Sequence, residues 1–301
     1  MINSSWNPSS YLKDKIYSIR SRIGQNYVIC LVNYDLNSAI LATILRQALG
    51  HQVLFVHIDT GLISEDEKTK VSNLFEKILN LKLITIKAND AFWTNISQTM
   101  GLQNQLATIT NTFIDVLSKT MYDLNLPIYC ISDGTFFNNV YNESKEIYLQ
   151  YMQSLKELNL LILQPLRNLT KEQLVELGNF FNLPFEVMET QWMPIYGSSI
   201  FLENTDISRI KIDLFNKIQS IYEKEMHKNH FLKFNTVCVV NFLSDDYEYN
   251  KKFDISLKAI NLIEKNVNAN ILDLSTSFWK HLSNQIKSNI PIVNKILLDL
   301  N

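Results

Sequence analysis

The sequence predicts an α/β fold, a parallel sheet with helices on both faces, and three observations carry that prediction. Residues 27–32 form a short apolar run rich in β-branched side chains, and residues 53–58 form a second. Runs of that length and texture read as buried strands. Between them Ile40, Leu41, Ile44, Leu45 and Leu49 recur at helical spacing. Two parallel strands joined by one helix make a right-handed crossover, and ligands in such sheets sit at the carboxyl ends of the strands. The turns at 33–38 and 59–62 are therefore expected to face one site.

Each element has its local reason. Ahead of the first strand, Leu12, Ile16, Ile19 and Ile23 set an apolar stripe on a helix over 11–23, which Gly24 ends. After that strand Asn33, Tyr34 and Asp35 supply a turn, Asp35 caps the next helix, and Gly50 stops it. A helix over 64–80 follows, with Glu65, Asp66 and Glu67 where the helix dipole favours acids, then a strand over 81–87. Next come a helix over 108–124, a strand over 127–131 and an amphipathic helix over 145–158. Thr170 caps a further helix, in which Gly178 allows close packing. The last third reads as a long helix over 206–227 linking two domains, then strands over 235–243 and 253–260. A helix over 274–289 and a closing strand over 292–300 complete it.

At 301 residues the chain is long enough for two domains, divided at 1–205 and 206–301. A composition 46% hydrophobic and 19% charged belongs to a soluble globular protein. A net charge of −2 gives no general attraction to nucleic acid or to an anionic membrane. No apolar span reaches the roughly eighteen residues of a membrane helix, and residues 1–10 show no signal-peptide pattern. A cytoplasmic protein is expected. Cys30, Cys130 and Cys238 lie far apart in apolar runs and read as buried free thiols. His227 and His230 read as a solvated helix terminus rather than a metal pair. Asp245, Asp246 and Glu248 lack the calcium-loop pattern, and Lys251 and Lys252 are too few for a nucleic-acid patch. The chain has seven glycines, no two within ten residues of each other. A glycine-rich phosphate cradle is therefore absent.

The run YVICLVNYDLNSAILATILRQALGHQVLFVHIDTGL, residues 27–62, resembles the ATP pyrophosphatase domain of GMP synthetase. There a strand, Ser-Gly-Gly-Val-Asp-Ser-Ser, a helix, a strand and Asp-(Thr/Asn)-Gly-Leu-Leu follow one another. The frame matches without a gap, and Asp59, Thr60, Gly61 and Leu62 keep the second motif. The phosphate loop departs from it: Asn33, Tyr34 and Asp35 stand in place of Ser-Gly-Gly, and Asn37 in place of the aspartate, while Ser38 remains. Asp133, Gly134 and Thr135 stand where the family carries Gln-Gly-Thr before a lid. In LILQPLRNLTKEQLVELGNFFNLP, residues 161–184, the Pro165-Leu166-Arg167, Lys171, Leu177-Gly178 and Leu183-Pro184 positions all fall on the family pattern. The loop over 189–197 keeps one proline and loses the family's basic residues, although Trp192 and Tyr196 could stack on a base. Residues 282–296 track the family's C-terminal dimerisation domain, and Asn301 comes before its substrate-holding tail.

The resemblance implies an adenine-nucleotide alpha hydrolase-like, Rossmann-like sheet over 1–205 and a small α/β dimerisation domain over 206–301. It implies a homodimer through that second domain, and ATP and magnesium as cofactors. It also implies a nucleotide site drawn from Asn33, Asn37, Ser38, Asp59, Thr60, Gly61, Leu62, Asp133, Gly134, Thr135 and Lys171. No glutaminase domain stands ahead of the sheet, so ammonia would be free or come from a separate glutaminase subunit. The departures argue against catalysis. A Cβ at Tyr34 and at Asp35 restricts the backbone where glycines let it approach phosphate. The Asp35 carboxylate stands where polyphosphate should sit, and like charges about 4 Å apart repel by roughly 4 kcal/mol at an effective dielectric near 20. The favoured reading is a non-catalytic relative with a binding or regulatory role, with no catalytic or metal residue assigned. The alternatives are an enzyme with altered chemistry in the same cleft, and a working ATP pyrophosphatase subunit of GMP synthetase in purine metabolism.

Overall fold

The computed structural model describes residues 6–134, 145–188, 190, 197–203, 205–229, 236–243, 252–261, 272 and 274–299. The chain divides into two compact units that interleave in sequence. The first comprises 1–60, 65–89 and 110–195, and the second 61–64, 90–109 and 196–301.

The first unit is built on five parallel strands: β1 (Tyr27–Leu31), β2 (Val53–Asp59), β3 (Leu83–Lys87), β4 (Ile128–Ser132) and β5 (Leu161–Leu163). Their order is β3-β2-β1-β4-β5, with Val28 of β1 in register with Val53 on one side and Cys130 on the other. The direction of winding reverses between β3 and β4. The topological switch point therefore lies at the carboxyl ends of β1 and β4. Right-handed crossovers place helices Leu36–Leu49 and Glu65–Ser72 on one face and helices Leu102–Leu124 and Lys145–Glu157 on the other. On the first face Val28, Cys30, Val32 and Phe55 pack in one core with Ile40, Ile44, Leu74 and Leu177. On the second face Ile29, Val56 and Ile131 are fully buried, and Phe113 meets Tyr151 edge-on at 6.2 Å. Burial on both faces explains why these strands read as unbroken apolar runs rather than alternating ones.

Helix ends follow the predicted signals. Gly24 and Gly50 close their helices at φ 60° and 61°, and Thr170 forms a capping box with Gln173, whereas the first helix starts at Pro8, capped by Asn7, ahead of the expected residue 11. Where glycine is lacking, Asn80, Asn125, Asn159 and Asn182 take the left-handed conformation just past helix ends. Asparagine tolerates it better than other side chains. Three further features differ from the sequence reading. The helix over 64–80 is α-helical over Glu65–Ser72 and then π-helical over Asn73–Ile78. Helix Leu102–Leu124 begins before residue 108, and its Gln105 side chain donates to the Ile96 and Thr99 carbonyls. Helix Asn89–Ser97 and strand β5 went unpredicted, being short and without a clear period.

The second unit holds a mixed sheet in the order β6-β7-β8-β9: β6 (Leu202–Glu203), β7 (Thr236–Phe242), β8 (Phe253–Asn261) and β9 (Val293–Leu298). Only the central pair β7 and β8 is antiparallel. Helix Arg209–Lys228, expected as a linker, belongs to this unit and packs on β7 and on helix Thr276–Asn289. Tyr222 lies fully buried there, its hydroxyl donating to Thr236 and its ring meeting Phe278 edge-on. No helix among the described residues is long and apolar enough to cross a membrane.

Candidate functional site

At the switch point the chain leaves β1 through Val32, Asn33 and Tyr34 and enters helix Leu36–Leu49. The first four amides of a helix have no partner within it, so their acceptors define what the turn can bind. Here three of the four find an acceptor among the described residues. The Leu36 amide donates to the Thr190 hydroxyl at 3.0 Å, the Ser38 amide to the Asp35 carboxylate at 2.8 Å, and the Ala39 amide to the Asp35 carbonyl at 3.1 Å. The Ser38 hydroxyl donates to the second Asp35 oxygen at 3.0 Å and accepts from the Asn33 amide, also at 3.0 Å. None of Asn33, Tyr34 and Asp35 has a positive φ, and Asp35 is extended at φ −151°. The Tyr34 ring packs at the edge of the core beneath the Lys70 ammonium. Asp35 therefore fills the turn, and Tyr34 does not.

Asp35 is 2% exposed, and no cation pairs with it among the described residues. Burial pushes its carboxyl up to about 6, against the opposing pull of the Ser38 and Asn37 hydrogen bonds. Beside it, the Cys30 thiol is raised well above its ordinary value by burial, then by Asp133, Cys130 and Asp35. A thiol held protonated in this way is no nucleophile. Asp133, just past β4, is buried and accepts from the Gln164 amide at 3.1 Å. Gly134 lies against the helix start: a Cβ there would stand 3.0 Å from the Asn37 Cβ and 3.5 Å from the Ser38 nitrogen. Asn37 is 5% exposed, and its Nδ2 has no hydrogen-bond partner among the described residues.

The rest of the first-unit set is placed elsewhere. At the end of β2 Asp59 pairs with Lys68 at 3.1 Å, and Lys68 also holds Glu65 at 2.6 Å. Thr60 next to it is buried. Lys171 opens helix Lys171–Phe180, half buried, and burial lowers its pKa while Glu172 opposes. That helix meets Leu36 through Gly178, whose added Cβ would stand 3.1 Å from Leu36 Cδ1. Lys171 lies about 10 Å along the helix axis from that contact. Gly61 and Leu62 belong to the second unit, where the Leu62 carbonyl accepts the Ser198 amide at 3.1 Å. Thr135, Trp192 and Tyr196 lie outside the described residues.

The structure thus brings together Asn33, Asn37, Ser38, Asp133 and Gly134. Sequence reasoning named Asp35 as a cap but missed Thr190 and Gln164, whose roles depend on chain brought from elsewhere. It also missed His57, which is 2% exposed, with Nδ1 3.1 Å from the Val32 carbonyl and Nε2 without a partner among the described residues. Burial lowers its pKa, so the ring stays neutral with the proton on Nδ1. A histidine inside the apolar run VLFVHID was the available signal.

No family model matches the chain. It is 22% identical over 320 residues to GMP synthase [glutamine-hydrolyzing] of Photorhabdus laumondii subsp. laumondii, covering 98% of this chain and 58% of that protein. To the GMP synthase of Campylobacter jejuni subsp. jejuni it is 24% identical over 312 residues, covering 99% and 60%. The chain thus spans about three fifths of the length of these curated relatives. Among solved structures, an NH3-dependent NAD synthetase from Campylobacter jejuni superposes with TM-score 0.47 at 13% identity, over 95% of each chain. An NMN synthetase from Francisella tularensis gives 0.48 at 13% identity, over 70% of this chain and 86% of its own. The sequence similarity runs the length of the chain at 22–24% identity to GMP synthases, and it marks the protein as a relative of the ATP pyrophosphatase family.

Proposed function

We propose that the protein is a non-catalytic, cytoplasmic relative of GMP synthase, keeping the ATP pyrophosphatase scaffold for binding or regulation in purine metabolism. One observation carries the reading: the Asp35 carboxylate occupies the Ser38 amide and hydroxyl at the helix start, where a nucleotide phosphate would rest. The residues as arranged do not fit a triphosphate. The Ser38 amide and hydroxyl are taken by Asp35, the Thr190 hydroxyl stands on the Leu36 amide, and Gly134 closes on Asn37. An incoming phosphate would also meet the charge of Asp35. Three buried free cysteines support a reducing compartment.

Incubation with ATP, magnesium, xanthylate and ammonia is expected to release no pyrophosphate above background. Ordinary enzymes turn over about 1 to 1,000 times per second. Pyrophosphate release on the order of 0.1 per second or faster would overturn the reading.

The same reading makes the chain a homodimer through residues 206–301. Among the described residues β9 is a sheet edge, and its Leu297 and Leu298 are 41% and 37% exposed. Exposed apolar edges pair with other strands unless they are blunted, and a two-fold axis closes such a contact on itself. Light scattering at micromolar concentration should report twice the 35.0 kDa chain mass. A single-chain mass that stays constant on dilution rejects the dimer.

A further inference from the structure

We infer that β3, the outer strand of the five-stranded sheet, pairs antiparallel with β3 of a second copy of this chain, so that two sheets become one. This contact lies on the first unit and is separate from the dimer read on residues 206–301.

The edge is open and built for pairing. β3 has β2 on one side and no strand on the other among the described residues. Leu83, Ile84 and Ile86 are half-buried, and Thr85 and Lys87 are exposed. The opposite edge, β5, is only three residues long, one way in which proteins blunt an edge. β3 has five residues, and Leu83–Ile86 is an uncharged run rich in β-branched side chains. Its hydrogen bonds show which backbone groups are free. The Ala88 amide donates to the Asp59 carbonyl at 3.0 Å. In a parallel ladder a residue turns its N–H and C=O to the same neighbour, and successive residues alternate. Ile84 and Ile86 therefore bond to β2, while Leu83, Thr85 and Lys87 turn their backbone groups outward. None of those outward groups has a backbone partner among the described residues.

The strand is complementary to itself about Thr85, and this selects a second copy as the occupant. With a two-fold axis at Thr85, that residue faces its own copy, and Leu83 faces Lys87 of the second chain at both ends. All the outward groups then meet in three pairs that each exchange two hydrogen bonds. An axis at Ile84 or Ile86 leaves one such pair fewer, and an axis at Lys87 sets two lysines opposite each other. Side chains agree with the backbone. Thr85 meets Thr85 of the second copy, a favourable cross-strand pair. Ile84 meets Ile86 of the second copy in the closer, non-hydrogen-bonded positions. On that face Ile84 and Ile86 lie in register with Val56 and Ile58, so the apolar surface continues across the axis. Lys82 falls opposite Ala88, and no lysine opposes a lysine. The contact is short, and interfaces below about 1,000 Å² are weak. It is populated well above micromolar concentration and leaves the mass expected there unchanged.

Mixing Ile84→Cys chains with Ile86→Cys chains tests the pairing. The Cα atoms of residues 84 and 86 in opposed chains stand about 4.5 Å apart, within disulfide range. Two copies of residue 84, or of residue 86, are diagonal neighbours about 7–8 Å apart. The native cysteines among the described residues are buried. Under mild oxidation at submillimolar concentration the mixture should form disulfide-linked pairs on the order of tenfold or more faster than either variant alone. In the same range the light-scattering mass of the unaltered chain should rise with concentration. Thr85→Lys, which sets like charges on the axis, should abolish that rise while leaving β2 and β3 paired. The inference is overturned if the mixture links no faster than the separate variants. It is also overturned if the mass of the unaltered chain stays constant, or if its rise survives Thr85→Lys.

Discussion

Replacing Asp35 by asparagine is expected to stabilise the folded protein by on the order of 1–3 kcal/mol at pH 7.5, with the gain vanishing near pH 4. The Asp35 carboxyl rises from 3.8 to about 6 on folding, chiefly through burial. A tenfold change in proton affinity between the two states is worth about 1.4 kcal/mol. With the folded value above the unfolded one, the native state holds the proton more tightly. The stabilisation this supplies is fully present below the unfolded value near 4 and is lost as pH rises through about 6. Above pH 7 the native state carries a buried, ionised carboxylate with no paired cation among the described residues. Asparagine keeps a carbonyl oxygen for the Ser38 amide and is as good a cap, so little of the turn is lost. His57 contributes in the opposite sense, since its lowered pKa removes stability as pH falls below the ordinary histidine value near 6.5. It is common to both proteins, so the difference between them isolates Asp35. Urea denaturation of the two proteins across pH 4–8 measures this. A variant less stable at pH 7.5, or a difference that does not vary with pH, contradicts the account.

Gly197→Ala should destabilise the second unit by about 2–4 kcal/mol, the range of steric and strained-backbone substitutions. Gly197 has φ 51°, and a Cβ there would stand 2.6 Å from the Leu62 carbonyl oxygen and 3.0 Å from the Leu62 Cβ. That oxygen is backbone and also accepts the Ser198 amide at 3.1 Å. It cannot give way without breaking a hydrogen bond. Gly50→Ala is the control. Its φ is 61°, nearly the same, yet nothing lies within 4 Å of the added atom. The conformational cost alone, about 1–2 kcal/mol, applies there. If the two variants lose equal stability by chemical denaturation, the Leu62 contact has no effect.

Much of the fold was legible because its signals are local. Apolar runs of strand length, the periodicity of residues 40–49, the cap at Asp35 and the stops at Gly24 and Gly50 each act over a few residues. Strands buried on both faces announce themselves by unbroken hydrophobicity, so β1 and β2 were visible at once. Gly178 was legible as a packing residue, and the structure supplies its neighbour in Leu36. Less was legible where a residue's role depends on distant chain. The start of helix Leu102–Leu124 is polar, and its Gln105 side chain is held by the Ile96, Thr99 and Ile207 backbone. The interleaving of 61–64 and 90–109 into the second unit has no local mark at all.

The candidate site divides in the same way. By itself the sequence determined that glycines are absent from the loop after β1, that a carboxylate stands in it, and that the whole frame resembles an ATP pyrophosphatase. It did not determine what that carboxylate does. Only the tertiary structure decided that Asp35 turns inward onto the Ser38 amide and hydroxyl, that Thr190 completes the turn at Leu36, and that Tyr34 packs aside under Lys70. The reason is physical: buried amides must find acceptors, and which acceptor reaches them depends on how strands and loops far apart in sequence converge.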